Sequence, residues 1–445
     1  MRRWEECMSL HRIVETATAN MSSAMSSAAA ADVVLPSCRQ PAMNRVEERG
    51  AEEQGAGKHG KQAIHLLFIV NSLTFGGAEK HVVSLLNHLD TTRFRMSLAY
   101  LKNDGSLLPQ LKQTQLDGRI YCCDVKRKLD FSVAKKLAKI IEDEQIDSVI
   151  AINGYALLYA VLACKLSAAA PKLVDLFHSS PFHMRSLKAR LQMWCYRPLF
   201  ARCDMLVYVC ENQRRYWRNR SLKARDDAVI YNGIELSRFT DKASDTEKIR
   251  LRQSYGWSGD DFVIGVCAVM RPEKAHADLL AALAGLPPSL LHVRCLFIGD
   301  GPERQKIEKA IIALGLAHRV GITGYLADVR LAVSACDVMA LVSHAETFSL
   351  AALEAMALGK PVIMSEVGGA SEQIEHGVHG YLVERGNIKQ MTRCIADLVR
   401  SGMAKQMGLA ARRKVSENFS HLQMATAYQS LFSDLNNKVA GKEPD

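Results

Sequence analysis

The sequence predicts an α/β protein built from two Rossmann-like domains that face one another, each a parallel sheet covered by helices on both faces. Three observations carry this. From Ile64 onward, short near-continuous apolar runs alternate with amphipathic helical stretches, the pattern of strands buried on both sides between crossover helices. The alternation occurs twice, and each half opens with a strand, a special loop and a helix. At 445 residues the chain is also too long for one ordinary core, so two domains are expected.

In the first half, the strand candidates are "IHLLFIV", "RMSLAYL", "RIYCC", "DSVIAI", "KLVDLF", "DMLVYV" and "AVIY". The second half offers "DFVIGVCAV", "RCLFIG", "RVGITG", "DVMALV", "PVIM" and "GYLV". A seam is expected near Asn232–Asp260, where "YNGIELSRFT" gives way to the polar "DKASDTEKIRLRQSYGWSGDD". This divides the chain into a first domain over 63–240 and a second over 241–420. The last segment, "HLQMATAYQSLFSDL", places Met424, Tyr428, Leu431 and Leu435 at helical spacing. It reads as an amphipathic helix over 421–437 that docks back and braces the two halves. Residues 1–62 are Ser/Ala-rich, then charged and Gly-rich, and read as a disordered tail outside the fold. The start "MRRWEEC" lacks the apolar core of a signal peptide.

Composition narrows the classes. Apolar residues make up 48% and charged ones 23%, a soluble globular balance. The twelve cysteines are scattered, never spaced as CxxC, and several (Cys164, Cys267, Cys295, Cys336) lie in apolar runs. Neither a zinc site nor a disulfide framework is indicated, and a reducing cytoplasm is the expected compartment. The longest apolar run, "VIAINGYALLYAVLAC", is interrupted by Asn153-Gly154 and falls short of the roughly 20 residues that span a bilayer. A buried strand turning into a helix explains it, and no membrane span is expected.

The formal charge of +10 is concentrated. Between Arg185 and Arg225 stand eleven Lys and Arg against Asp204 and Glu211, a net +9. Such a local excess points to an anionic partner or to a solvated face. Within it, "HMRSLKARLQMWCYRPL" sets Met184, Leu187, Leu191 and Trp194 on one helical face, flanked by Arg185, Lys188, Arg190 and Arg197. That pattern fits a helix lying on an anionic membrane surface or gripping an acidic acceptor, and equally a core helix with charged edges. No nucleic-acid partner is expected.

The loops opening the two halves carry Gly76-Gly77 in the first, and Arg271 with Lys274 in the second. Paired glycines let backbone amides approach a ligand, and helix N-termini favour anions. Neither loop is GxGxxG, and GxxxxGK followed by Ser or Thr is absent from the sequence, which disfavours dinucleotide oxidoreductases and P-loop ATPases. In "SHAETFSLAALEAMALGKPV", the strand ends near Val342 and a helix is expected from Ser349 to Leu358. Glu346 then stands at the carboxyl edge of the sheet, where ligands bind. The amides around Ser349 and Leu350 form a helix N-terminus suited to phosphate. Glu354, about one and a half turns inside, suits the hydroxyl pair of a ribose. Taken alone, the two glutamates fit the ordinary reading better, in which Glu346 favours the helix macrodipole and Glu354 lies on a solvated face.

They are not alone. The run "IGDGPER", "GITGY" and "ACDVMALVSHAETFSLAALEAMALGKPVIMSEVGGASEQIEHGVHGYLV" resembles the donor domain of the family 4 glycosyltransferases, retaining enzymes of the GT-B fold. In the first half, "GGAEKHVVSLLNHL", "FHSS", "DMLVYVCENQRRYW" and "VIYNGIELSRF" match that family's landmarks in order, so the resemblance spans about residues 64–435. It implies Glu346 beside the donor sugar and Glu354 on the ribose. Lys274 and the amides near Ser349 and Leu350 would lie on the pyrophosphate, Gly77 against the donor phosphate from the other domain, and His178 facing the sugar. Val269 stands where the family commonly has an arginine, with Arg271 as the candidate substitute. Thr347 and Ser349 replace the usual glycines, side chains expected to narrow the sugar pocket.

The resemblance implies transfer of a sugar from a nucleotide-diphosphate donor to a saccharide or lipid-linked acceptor with retention, in cell-envelope polysaccharide or glycolipid assembly. No DxD-type cluster stands out, so no metal and no cofactor are expected, and the setting would be cytoplasmic, peripheral on the inner face of the membrane. A GT-B phosphorylase or nucleotide-sugar epimerase fits the same fold. So does a nucleotide-sugar-binding protein without turnover.

Overall fold

Each strand expected from the sequence is present in the computed structural model, which describes residues 63–440 apart from 75, 113–114, 128 and 180–186. The side chains of 187–189 and 438–440, and the expected tail at 1–62, also lie outside the described residues. The first sheet contains β1 (Ile64–Val70), β2 (Phe94–Tyr100), β3 (Ile120–Cys122), β4 (Ser148–Ile152), β5 (Lys172–Phe177), β6 (Met205–Tyr208) and β7 (Asp226–Val229). The second contains β8 (Phe262–Cys267), β9 (Val293–Ile298), β10 (Val320–Gly324), β11 (Val338–Leu341), β12 (Val362–Ser365) and β13 (Gly380–Val383).

Helices of the first half are α1 (Gly77–His88), α2 (Phe131–Asp143), α3 (Asn153–Leu166), α4 (Leu187–Phe200) and α5 (Glu211–Arg218). Those of the second are α6 (Asp245–Ser254), α7 (His276–Ala284), α8 (Arg304–Ala313), α9 (Arg330–Ser334), α10 (Leu350–Ala357), α11 (Ala370–Gln373), α12 (Ile388–Ser401) and α13 (Ala404–Asn418). The described residues end in α14 (His421–Ala440). The polar stretch read as a seam contains α6. Ser244 and Glu247 cap its start reciprocally, each side chain meeting the other's backbone N–H, so capping sustains a helix that buries no side chain.

Both sheets are parallel throughout and doubly wound, in the orders β3-β2-β1-β4-β5-β6-β7 and β10-β9-β8-β11-β12-β13. In such a sheet the winding reverses at one place, between β1 and β4 in the first and between β8 and β11 in the second. There the loops leaving the two strands turn to opposite faces and leave a crevice at the carboxyl edge.

The chain passes from the first half to the second and back at a single paired crossing. Ile234 donates its N–H to the Phe419 carbonyl at 3.0 Å, and His421 returns one to the Ile234 carbonyl at 2.9 Å. Beside this bridge, a Cβ on Gly233 would stand 2.3 Å from the Ser420 carbonyl oxygen, so only glycine allows the two backbones this approach. After the crossing, α14 lays Met424, Tyr428 and Phe432 into the core of the first sheet, where Phe432 meets Phe68 and Phe94 edge-on at 6.3 Å. Leu431 and Leu435 are partly buried at its margin.

A buried acid interrupts the apolar core of the first sheet. Asp175, in the middle of β5 between Ala151 and Leu206, is fully buried, and neither carboxylate oxygen has a hydrogen-bond partner among the described residues. Burial pushes its carboxyl well above the ordinary range, since the charged form would be stranded in an apolar medium. The folded chain therefore keeps this proton to a higher pH than the unfolded chain does. The resulting stability is complete below the usual carboxylate range and is lost as pH rises through the raised folded value. Asp175→Asn removes the dependence. Measured by urea denaturation, its stability relative to the parent rises by about 1.4 kcal/mol per pH unit upward from about pH 4. A pH-independent difference would show that Asp175 does not hold the proton.

Candidate active site in the cleft between the sheets

The two switch points bring together the loops that carry the chemistry. From the first sheet come the loop after β1, ending at Gly76-Gly77, and the start of α3 after β4, with His178 just beyond neighbouring β5. From the second come the loop after β8, with Arg271 and Lys274, and the loop after β11, with Glu346. Lys274 and Glu346 meet directly, Nζ to Oε2 at 2.5 Å, with both side chains three-quarters covered. A charge-assisted pair at this depth fixes both groups. It also means that a phosphate reaching Lys274 competes with Glu346.

Glu354, on the second turn of α10, is half-buried, and its carboxylate makes no hydrogen bond or ion pair with a described residue. Burial raises its carboxyl above the usual range, while Lys80 of α1 and Arg238 pull it down. Lys80 and Lys274 both act on the thiol of Cys267 at the end of β8, as does Glu354. Two cations of the first half therefore act on this acid of the second. Sequence reasoning missed Lys80, although it lies one turn beyond Gly77 in "GGAEK".

At the N-terminus of α10, Ser349 is the N-cap, and its hydroxyl accepts from Ala352 N–H at 3.3 Å. Its own N–H donates to the Gln373 carboxamide at 3.1 Å, and Gln373 donates back to the Ser349 carbonyl at 2.8 Å. The expectation that the Ser349 amide is available for phosphate is thereby corrected, because Gln373 takes it. Helix starts leave their first amides without intrahelical acceptors, so here Leu350 and Ala351 are the uncapped donors. Gly77, the first residue of α1, is exposed, with open space where a side chain would be. At neighbouring Gly76, a Cβ would meet the Glu79 carboxylate at 2.0 Å. Glu79 thus folds back over the start of its own helix, where burial raises its carboxyl. Arg271 is exposed and forms no salt bridge with a described residue, and Val269 is exposed beside it.

His178 is held at both ends of its peptide. Its N–H donates to Asn153 Oδ1 at 2.9 Å and its carbonyl accepts from Thr347 Oγ1 at 3.1 Å across the cleft. Asn153 sits in the left-handed region (φ 66°), which Asn tolerates better than most residues. The imidazole packs edge-on against His81 with centroids 4.6 Å apart, and its buried Nε2 has no partner among the described residues. Burial first, then His81, hold its pKa well below the usual value, and burial brings His81 down to about 4. Both rings are therefore neutral near pH 7, so His178 offers a hydrogen-bonding edge and no charge.

Thr347 and Ser349, expected to narrow the sugar pocket, are buried and commit their hydroxyls to backbone groups. A further strut joins the halves at this point. Glu372 accepts from the first two amides of α5, Glu211 and Asn212, at 2.8 Å each. Asn212 also donates to the Gly368 carbonyl at 2.8 Å. An acid of the second half thus caps a helix of the first whose own N-cap, Cys210, makes no side-chain cap.

Leu191 and Trp194 of the basic helix are 43% and 63% exposed. This corrects the core-packing alternative for that face, since the buried side of α4 is instead formed by Cys195, Leu199 and Phe200. Arg190 is exposed nearby, while Met184, Arg185 and the side chains of Leu187 and Lys188 lie outside the described residues. Among the described residues, no three or more His, Cys, Asp or Glu side chains cluster to hold a metal, the ten cysteines are free thiols, and no helix is long and apolar enough to cross a membrane.

Two doubly wound parallel sheets whose switch points share one cleft, with acids and cations on the loops of both, define the GT-B class of glycosyltransferase fold. Residues 75–238 match the model of Glycosyltransferase Family 4 and residues 247–414 that of Glycosyl transferases group 1. The chain belongs to the family 4 glycosyltransferases. It is 27% identical over 310 residues to N-acetyl-alpha-D-glucosaminyl L-malate synthase of Bacillus anthracis, covering 69% of this chain and 79% of that one. It is 26% identical over 321 residues to the putative glycosyltransferase EpsD of Bacillus subtilis strain 168, covering 69% and 83%. Among solved structures, Anabaena HepE in complex with UDP and glucose is similar at a TM-score of 0.72 and 25% identity, over 83% of this chain and 100% of that one.

Glu372→Ala leaves two helix-start amides of α5 without their cap and is expected to lower stability by about 1–2 kcal/mol. Glu372→Gln, which keeps one acceptor, recovers part of that loss in the same denaturation experiment. Equal stability of all three proteins would remove Glu372 as a link between the halves.

Proposed function

We propose that this glycosyltransferase moves a sugar from a nucleotide-diphosphate donor to a saccharide or lipid-linked acceptor with retention, without a metal, in cell-envelope polysaccharide or glycolipid assembly. The observation that carries the reading is the set of charges at the second sheet's switch point. Lys274 and Glu346 are locked together there, and Glu354 stands uncommitted one helix turn away. A nucleotide-diphosphate sugar presents groups for each: hydroxyls of the ribose for Glu354, phosphates for Lys274 and the Leu350 and Ala351 amides, and sugar hydroxyls for the Glu346 carboxylate once Lys274 turns to phosphate. The similarity to HepE, solved with UDP and with UDP-glucose, supports a uridine diphosphate sugar as the first donor to test.

Bond breaking between the anomeric carbon and the diphosphate oxygen sends the electron pair to the leaving group. The positive ends positioned around that oxygen stabilise the charge as it grows. Lys274, the α10 amides and Arg271 are assigned this role, which a metal fills in other sites. The acceptor oxygen then bonds to the anomeric carbon on the face just vacated, and its proton goes to the departing phosphate. Neutral His178, aimed from the first sheet, is assigned to holding a sugar hydroxyl. The exposed Leu191, Trp194 and Arg190 of α4 support peripheral attachment to an anionic membrane from the cytoplasmic side.

Lys274→Ala and Glu346→Gln are expected to lower kcat with uridine diphosphate sugars at least roughly a hundredfold, in the range for losing a preorganised charge at a leaving group. His178→Ala is expected to lower it by less, and chelation with EDTA is expected to leave it unchanged. A donor at a hundred times its Kd should stabilise the protein by about 2.7 kcal/mol, which thermal-shift screening of uridine, guanosine and adenosine diphosphate sugars would read. Full turnover in both charge variants would end the site assignment, and loss of turnover with EDTA would end the metal-free mechanism.

A further inference from the structure

Glu346 and His178 belong to different sheets, and one residue joins them. Thr347 follows Glu346 in the loop after β11, is 8% exposed, and donates its hydroxyl to the His178 carbonyl at 3.1 Å. The two partners lie 169 residues apart in the chain. The family's usual glycine at this position has no side chain to reach across, so the bond is a feature of this chain.

The loop around Thr347 is seated by other contacts. Its carbonyl accepts from the Gly369 N–H at 2.7 Å and from the Cys210 thiol at 3.5 Å. Gly369 precedes α11 in the second half, and Cys210 precedes α5 in the first. The approach is close. A Cβ on Gly368, whose φ is 55°, would stand 2.3 Å from the Glu346 carbonyl oxygen and 2.4 Å from that of Thr347. Phe348, next along the chain, packs on Tyr231 and Phe419 with ring centroids 5.4 and 5.5 Å away. Backbone and aromatic ring therefore hold the loop, which leaves the Thr347 hydroxyl with a separate task.

His178 is likewise held within its own half. Asn153 takes its N–H and His81 of α1 backs its ring. Neither contact reaches the second sheet. Among the described residues, the Thr347 hydroxyl makes the hydrogen bond that links His178 to the second half. Hydrogen bonds tolerate little change in length or angle, so this one fixes the His178 peptide against the residue next to Glu346.

We propose that Thr347 is a positioning residue for sugar transfer, setting the spacing between the Glu346 carboxylate and the His178 imidazole on either side of the donor sugar. This rests on the donor reading of the cleft given above. Thr347 itself spends its hydroxyl on His178 and acts through that bond. The donor is held by groups of the second half, Lys274, Glu354 and the α10 amides, so removing the bond leaves donor affinity in place. Alignment is what suffers, and a misplacement of about 1 Å can cost roughly a hundredfold in rate. The loss therefore falls on kcat and spares KM.

The test follows UDP release from UDP-glucose by the full chain, with water as the acceptor, beside calorimetric titration of UDP. Thr347→Val keeps the shape and removes the hydroxyl, Thr347→Ala removes both, and Thr347→Ser keeps the hydroxyl. Thr347→Val and Thr347→Ala are expected to lower kcat about tenfold or more, with KM and the UDP Kd within roughly twofold of the parent. Thr347→Ser is expected to recover the parent's kcat. Parent-like kcat in the valine and alanine variants, while Glu346→Gln is impaired, overturns the proposal and leaves the donor reading standing. A loss shared by Thr347→Ser, a loss that falls on KM or on UDP affinity, or failure of both variants to fold also overturns it, because each marks a structural role. Full turnover in Lys274→Ala and Glu346→Gln removes the donor reading itself, and the role of Thr347 with it.

Discussion

A parallel sheet wound in both directions from its middle has one place where neighbouring loops part, and most of the candidate site follows from that constraint. Both sheets have it, at β1/β4 and at β8/β11. The residues able to handle a charged ligand stand at the ends of those four strands or of the strand beside them. Strand order gathers Gly77 with Asn153 on the first sheet and Lys274 with Glu346 on the second, and the contacts between the halves bring the two pairs to one cleft. The helices then add their N-terminal amides on the same side, where a diphosphate is best stabilised.

Within the cleft, hydrogen bonding divides residues that shape the site from those free to meet a ligand. Thr347, Ser349, Gln373, Asn153 and Glu372 all spend their polar atoms on the protein. They hold loop against helix and half against half. Among the described residues the Glu354 carboxylate has no such engagement, while Lys274 and Glu346 hold each other. Folding Glu79 over the start of α1 keeps negative charge where the glycine pair comes closest to the cleft.

Much of this was legible in the sequence because its signals are local. All the strands were readable as apolar runs between turn residues, and α10 starts at Leu350, one residue after the expected start at Ser349, which is its N-cap. Helix α6 was missed because a reciprocal cap, rather than an apolar face, defines it. The roles of Lys80, Asn153, Glu372 and Gln373 were illegible for a different reason. Each acts on a group far away in the chain, 161 residues in the case of Glu372 and Glu211, and periodicity carries no trace of such pairings. Thr347 shows the same limit from the other side. Its departure from glycine was visible, yet its use as a bond to His178 across the cleft was not.

The return of α14 has a consequence for how this chain is made. The core of the first sheet is completed by Met424, Tyr428 and Phe432, which leave the ribosome after the whole second half. Domains ordinarily fold in turn as they emerge. Here the half synthesised first must wait, with the apolar bed for Phe68 and Phe94 uncovered, until the last helix arrives to close it. A chain cut short after residue 420 would keep every strand of both sheets and still leave that bed bare, which makes the final twenty or so residues the step that commits the newborn protein to its fold.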